Sequence, residues 1–453
     1  MPQIPIMSGM TARDGEFAAS YPVNLEPRAK VNGLSQGQLI ATRGAVQKAT
    51  GLGIGRGGIL WNGSHYRVSG SRLIRIDADW TVTNIGDVGN DAEPCQFDYS
   101  FDRLSVSSAG KLFYYDGATL IEVTDPDLGT VLDHVWIDGY FVTTDGEFLV
   151  ATELLDPTSV SPLKYGSAEQ DPDPLTGVIK LRGELYGIGR HTIQVFSNVG
   201  GLNFPFAVNT SATIPYGCIS ASAKCMVSGN TFAFVGGARN EPLGLFVVAN
   251  GGAERISNIE IEKYLAAEIA PELIELECRT FGEEFYILMH LADQTIGVSL
   301  QASKVADDGA WFTLHSAGAY RPRHAIWAYG RHIVDDCTGA AIGELTPATA
   351  AHFDITPDWE LATALMFSDG DAFGIDEVEL SGQFPLDGCT VFFAMTRDAA
   401  IWSNEIARTL TGRRDERVVW RPSLRVRTLV GFKWRGQGRV ALARADVRGE
   451  AMA

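Results

Sequence analysis

One hairpin-bearing unit returns seven times along this chain, and that recurrence restricts the fold more than any other feature. The unit is a turn containing Gly, an alternating apolar strand, a second turn and a second strand. It starts at Trp61 (WNGSHYRVSGSRLIRID), Phe101, Ile137, Leu181, Val227, Phe281 and Ala328, with successive starts 36 to 54 residues apart. Such a period, with several strands per unit, predicts a β-propeller. Each blade buries its faces on its neighbours, and ring closure hides all but short sheet edges. The units share a pattern and no consensus, so the spacing admits seven blades or six.

The fifth unit contains KCMVSGNTFAFVGG, residues 224–237, and Cys218 lies seven positions before Cys225. A metal clip or disulfide is one reading of that spacing, and a hairpin with small buried thiols is the other. The six cysteines are scattered without C-x-x-C or Cys/His pairing, so zinc spacings are absent. Cys218 and Cys225 are therefore expected as free thiols on strands beside the hairpin. Thr231, Ala233 and Val235 should face one way and Phe232 and Phe234 the other, because strand side chains alternate.

The repeat predicts a propeller over residues 52–352. From residue 353 the spacing changes. ELATALMF, IDEVELSGQF, CTVFFAMT, RTLVGFKWRG and VALARADVR are strand-like runs without the hairpin unit, and they predict an antiparallel β-sandwich over 353–453. Residues 1–51 read as an extended N-terminal arm, with YPVNLEP at 21–27 as a strand lying along another surface. The fold class is all-β. The best helical segment is 256–277, where Ser257 would cap and Pro271 would break the helix.

At 45% hydrophobic and 20% charged residues, the chain can form a packed core. The net charge of −18 is unevenly placed. Residues 397–453 hold 13 basic and 6 acidic residues, leaving 24 basic against 49 acidic before them. An acidic body with a basic end implies two different neighbours, and it argues against a freestanding nucleic-acid binder. The start MPQIPIMSGM lacks a basic region followed by a long apolar run, so no secretory signal is expected. No run of roughly 18 apolar residues predicts a membrane span.

The chemical motifs are weak. GLGIGRGG contains G-x-G-x-x-G at Gly53, Gly55 and Gly58, but a strand and a turn follow where a dinucleotide site needs a helix. The carboxylates at Asp171 and Asp369 begin loops that miss the calcium-loop pattern. Asp145-Gly146 reads as a hairpin turn. His324 and His332 form a close pair on one strand face at the surface or rim, without accompanying ligands. No G-x-S-x-G elbow occurs. Neither a catalytic site, a cofactor site nor a metal site is expected.

The most pointed stretch is GRRDERVVWRPSLRVR, residues 412–427. Arg413, Arg414, Arg417, Trp420 and Arg421 form the candidate interface, since Arg and Trp carry much of the energy where proteins meet. The competing reading is the solvated face of an edge strand, where positive charge discourages aggregation.

In order along the chain come MPQIPIMSGM and YPVNLEP, then IPYGCISASAKCMVSGNTFAFVGG, GGAERISNIEIEKYL and RRDERVVWRPSLRVRTLVGFKWRG. This series resembles the packaged-DNA stabilisation proteins, or tail-hub (nozzle) proteins, of short-tailed bacteriophages. The resemblance implies a structural virion protein of the tail, assembled in the host cytoplasm. It implies a homo-oligomeric ring of six below the head-to-tail adaptor on the portal, closing the DNA channel after packaging. A tail needle or plug and a tailspike or fibre would be its other partners. An acidic channel would let packaged DNA pass without sequence-specific binding, and the extended N-terminal segment would lace one subunit to the next. The rival reading is a glycan-binding or glycan-cleaving propeller, which needs carboxylates converging in one mouth.

Overall fold

The structure, a computed structural model, describes residues 3–7, 9–13, 15–29, 37–167, 173–201, 203–306, 308–368, 372–413 and 417–451. Seven antiparallel sheets follow one another as blades, the larger of the two numbers that the repeat allowed. Blades 1 to 4 run from inner to outer strand in chain order. They extend from Gly55–Trp61 to Val82–Asp87, from Gln96–Tyr99 to Leu120–Glu122, from Asp133–Ile137 to Tyr165–Ser167, and from Leu175–Leu181 to Phe206–Val208. Blade 5 splits its inner strand into Gly217–Cys218 and Lys224–Ser228, both paired with Thr231–Gly237. Blade 6 runs from Glu275–Phe281 to Ala310–Leu314, and blade 7 starts at Pro322–Ala328.

The recurring turn has a physical cause. Asn62-Gly63, Asp138-Gly139, Arg182-Gly183 and Tyr329-Gly330 each hold positive φ at both positions. That mirror-image turn matches the right-handed twist of the flanking strands, and its second position favours Gly. Beyond the turn, the middle strands are covered on both faces by neighbouring blades. Phe232, Ala233, Phe234 and Val235 are all fully buried, and the Phe234 and Phe246 rings stack 5.1 Å apart.

The ring closes with a strand that the sequence reading left in the arm. Gly44–Thr50 pairs with Ala341–Thr346 as the outermost strand of blade 7. An N-terminal strand in the last blade prevents the circle from opening at its seam. The stretch escaped notice because Val46, Gln47 and Lys48 face solvent, leaving no alternating apolar pattern.

The C-terminal strands form two further sheets. Trp359–Ala362, Leu429–Gly436, Cys389–Thr396 and Ile406–Leu410 make one. The other is Leu25–Ala29, Gly37–Ala41, Ala441–Ala451 and Phe373–Gln383, edged by Val418–Trp420 and Leu424–Val426. Leu25 and Leu39 from the N-terminal region share a core with Leu361, Phe393, Phe432, Trp434 and Leu442. The N-terminal strands are thus part of the sandwich rather than a separate arm.

YPVNLEP, read from the sequence as a strand lying along another surface, joins the two domains of its own chain. Val23 N donates to Glu360 O in the sandwich at 2.8 Å, and Thr313 N of blade 6 donates to Pro22 O at 2.9 Å. Asn24, buried at φ 53, donates from Nδ2 to Asp358 O (2.8 Å) and accepts at Oδ1 from His315 N (3.1 Å). Asn suits the site because its short amide tolerates left-handed backbone.

The single α-helix among the described residues is Ile259–Ala267, shorter than the 256–277 segment. Its cap is Asn258, which accepts from Ile261 N, while the Ser257 hydroxyl donates to Glu262 instead. Pro271 opens a 3-10 turn, and Glu275 onward is strand.

Candidate functional site

Val418–Trp420 and Leu424–Val426 of the basic stretch edge the second sandwich sheet, and the residues singled out around them have different tasks. Arg417 donates to Glu379 (3.0 and 2.5 Å) and to Glu377 (2.9 Å) on the adjoining strand, and Arg421 donates to the other Glu377 oxygen at 3.2 Å. Hydrogen bonds from Arg417, then those from Arg421, hold the Glu377 carboxyl below its usual range despite the opposing effect of burial. Both arginines, singled out as candidate interface residues, already have partners in their own sheet. Trp420 is 4% exposed, stacked 5.1 Å from Phe393, with Nε1 donating to Ile406 O. Its packing energy is spent inside the sandwich, which corrects its reading as an interface anchor. Arg414 lies outside the described residues. Arg413 is exposed and lines a hollow of about 560 Å³ together with Phe384, Leu386 and Leu410.

The propeller axis carries a set of ion pairs that sequence reasoning missed, with buried carboxylates in each and a partly exposed cation in the first. Asp98 on the blade 2 inner strand accepts from Trp136 N of blade 3 at 2.7 Å, and from Lys180 Nζ of blade 4 at 2.8 Å. Asp133 of blade 3 repeats the arrangement, taking Val178 N of blade 4 at 2.7 Å and Lys224 Nζ of blade 5 at 2.8 Å. Glu277 of blade 6 accepts from His324 N (3.0 Å) and Ala325 N (2.8 Å) of blade 7, and pairs with Arg279 at 2.6 Å. In each case an inner-strand carboxylate satisfies backbone N–H of the next blade and is neutralised by a cation. The sequence signal was an acidic residue set between apolar or aromatic residues of an inner strand, as in FDY, LDHVW and LEC.

The seam between blades 6, 7 and 1 extends this network. His324 lies 3.3 Å from both Glu275 and Asp335, and Asp335 pairs with the fully buried Arg67 of blade 1. Burial alone would lower the His324 pKa, but the Glu275 charge and the Asp335 and Glu275 contacts raise it to about 10. Burial likewise opposes ionisation of Glu275, yet His324 brings its carboxyl down to about 2. His290 is pushed down to about 4 by burial, although Glu277 accepts its Nε2–H. These carboxylates are tied to cations and backbone, so they do not present a facing acid and base. His332 packs against Phe281 and Trp327 across the turn from His324, so the two histidines do not share a strand face.

The remaining motifs are structural. Gly55 and Gly58 lie on the blade 1 inner strand, where a Cβ at Gly55 would fall 2.0 Å from Asp335. Asp145 caps its own hairpin turn by accepting from Glu147 N and Phe148 N. Asp171, Asp369 and Asp371 lie outside the described residues. Cys218 and Cys225 lie on the two inner strand pieces of blade 5 and are unbridged. Burial raises the Cys218 thiol to about 11.

The family profile described as "Bacteriophage P22 Gp10, beta-propeller" matches residues 2–350, and the one described as "Bacteriophage P22 Gp10, beta-sandwich" matches 358–450. The tail hub protein gp10 of Salmonella phage P22 is 24% identical over 465 residues, covering 96% of each chain. Among solved structures, the N-terminal domain of Nup159 is similar over 71% of this chain and 98% of its own, with TM-score 0.41 and 10% identity. The WD40 domain of Neurospora crassa Pan2 is similar over 67% and 96%, with TM-score 0.42 and 9% identity. Likeness at that level carries no argument. With both domains matched in order over nearly all its length, the chain belongs to the bacteriophage P22 Gp10 family and is a structural hub protein of the phage tail.

Proposed function

We propose that six copies of this chain form a ring below the head-to-tail adaptor of a short phage tail. The ring closes the DNA channel after packaging, holds the genome, carries a needle or plug below, and offers tailspikes or fibres an attachment surface. The observation that carries this reading is the ordered match of both domains to one tail-hub family. The role is mechanical, in keeping with the bracing of neighbouring blades by Asp98, Asp133 and Glu277. An acidic body around a channel repels phosphate, so DNA can be retained and later slide out without adhering. Strands from residues 3–50 enter both domains, so load on one passes to the other without a flexible linker.

Omitting the chain from assembling particles tests the proposal. Particles that package DNA and then lose it, with retention restored by adding the chain back, are the expected result. Particles that hold their DNA equally well without it would defeat the channel-closing role.

A further inference from the structure

We infer that two surfaces at opposite ends of the molecule pair copy to copy and build the ring. This inference rests on the hub reading and assigns it specific surfaces. The first surface is an apolar knob on the rim of blades 2 and 3. Phe101 is 86% exposed in the turn after the blade 2 inner strand. Leu154 and Leu155, 52% and 97% exposed, lie between Phe148–Ala151 and Tyr165–Ser167 of blade 3. Both segments belong to the same rim. Leu154 reaches the blade 3 turn at Gly139, and Arg103, two residues past Phe101, acts electrostatically on Asp156 beside Leu155. Single exposed apolar side chains need no explanation, but three on one rim mark a contact surface. Beside them stand the carboxylates of Asp138, in the turn that Leu154 reaches, and Asp156, whereas Asp102 is paired with Arg103 at 2.7 Å.

The second surface is the hollow of about 560 Å³ in the sandwich, floored by Phe384 and Leu410 and edged by Leu386 and Arg413. Leu386 is 66% exposed, and Arg413 has no ion pair among the described residues. This is an apolar socket with a cation at its lip, in the part of the chain that carries the basic excess. Asp387 faces the neighbouring hollow on the propeller side. A knob of Phe and Leu beside carboxylates matches a socket of Leu and Phe beside a guanidinium, in shape class and in charge.

Topology prevents the two from meeting within one molecule. The sandwich is joined to blade 6 through Thr313 and through Tyr286, whose hydroxyl donates to Pro27 O. On a ring of seven, blade 6 stands opposite the gap between blades 2 and 3. Knob and socket are therefore at the two ends of the protomer. A contact between unlike surfaces of identical copies is heterologous, and such contacts generate closed rings when the rotation fits.

Complementary half-defective variants test this. The knob variant F101E/L155E and the socket variant L386E/R413E are compared with the unmodified chain by sedimentation velocity, with circular dichroism to confirm folding. Each variant alone should self-associate at least about tenfold more weakly, because a hot-spot side chain is lost from the contact. Mixed together they should form a 1:1 heterodimer that grows no further, since one intact knob and one intact socket remain. Variants that assemble like the unmodified chain, a mixture that stays monomeric, or an unmodified chain that is monomeric at every concentration would each overturn the pairing. Incorporation into tails separates this from the hub reading. If F101E/L155E enters tail rings as well as the unmodified chain, the surfaces are wrong and the hub stands; if the unmodified chain is absent from tails, the hub reading itself falls.

Discussion

Asp133→Ala should be among the most damaging single substitutions in the propeller. Its carboxylate is 2% exposed and sits 2.8 Å from the Lys224 ammonium, itself 6% exposed. It also accepts from Val178 N at 2.7 Å and from His134 N at 2.9 Å. Removing one member of a buried pair leaves an uncompensated charge, which costs about 3–5 kcal/mol. A buried N–H left unsatisfied adds about 1–3 kcal/mol. Lys224 retains one bond, from Nζ to Ala221 O, which softens the first loss. We expect a total near 4 kcal/mol, measured by urea unfolding followed by far-UV circular dichroism. Adding Lys224→Met should recover a large part of it, because the double variant has no stranded charge and lacks only the acceptor for Val178 N and His134 N. An Asp133→Ala protein as stable as the original would refute the bracing role. A double variant no better than the single would show that the loss is not electrostatic.

Three further outcomes follow from the same structure. His324, raised to about 10, contributes stability that is complete below its unfolded pKa near 6.5 and is lost as pH rises through about 10; His324→Gln should flatten the alkaline limb of a melting-temperature profile, and an unchanged limb would remove His324 from the account. A fragment of residues 353–453 should fail to fold alone, because Ile4, Leu25 and Leu39 complete its core; a dispersed NMR spectrum of that fragment would contradict this. Trp420→Ala should cost about 3–5 kcal/mol as a core truncation, whereas Arg417→Glu with Arg421→Glu should weaken the sandwich by facing Glu377 and Glu379 with like charge, and melts showing no change in either variant would reject these assignments.

The propeller was legible because its hairpin turn imposes a local chemical demand, positive φ at two successive positions, and Gly answers it in unit after unit. The sandwich was visible only in its C-terminal half. Gly37–Ala41 pairs with a strand some four hundred residues away, and Leu25–Ala29 joins the sheet only through it; a local pattern carries no record of such a partner. The same limit hid the axial ion pairs: Asp98 and Lys180 are 82 positions apart, and only ring closure brings them together. Arg417 and Trp420 were singled out for their side-chain types, but two of their neighbours in space, Glu377 and Phe393, decide what they do. Arg413 retained an outward-facing role because nothing in its own sheet claims it among the described residues.

The most direct test of the central claim is electron cryo-microscopy of tails that contain this chain, refined without imposed symmetry. The account predicts a six-fold ring on the tail axis below the adaptor. Each copy should have its sandwich against blades 2 and 3 of the next, and density for DNA should end above the ring. Single copies scattered at the tail periphery, or a ring whose channel stays open in full particles, would contradict it.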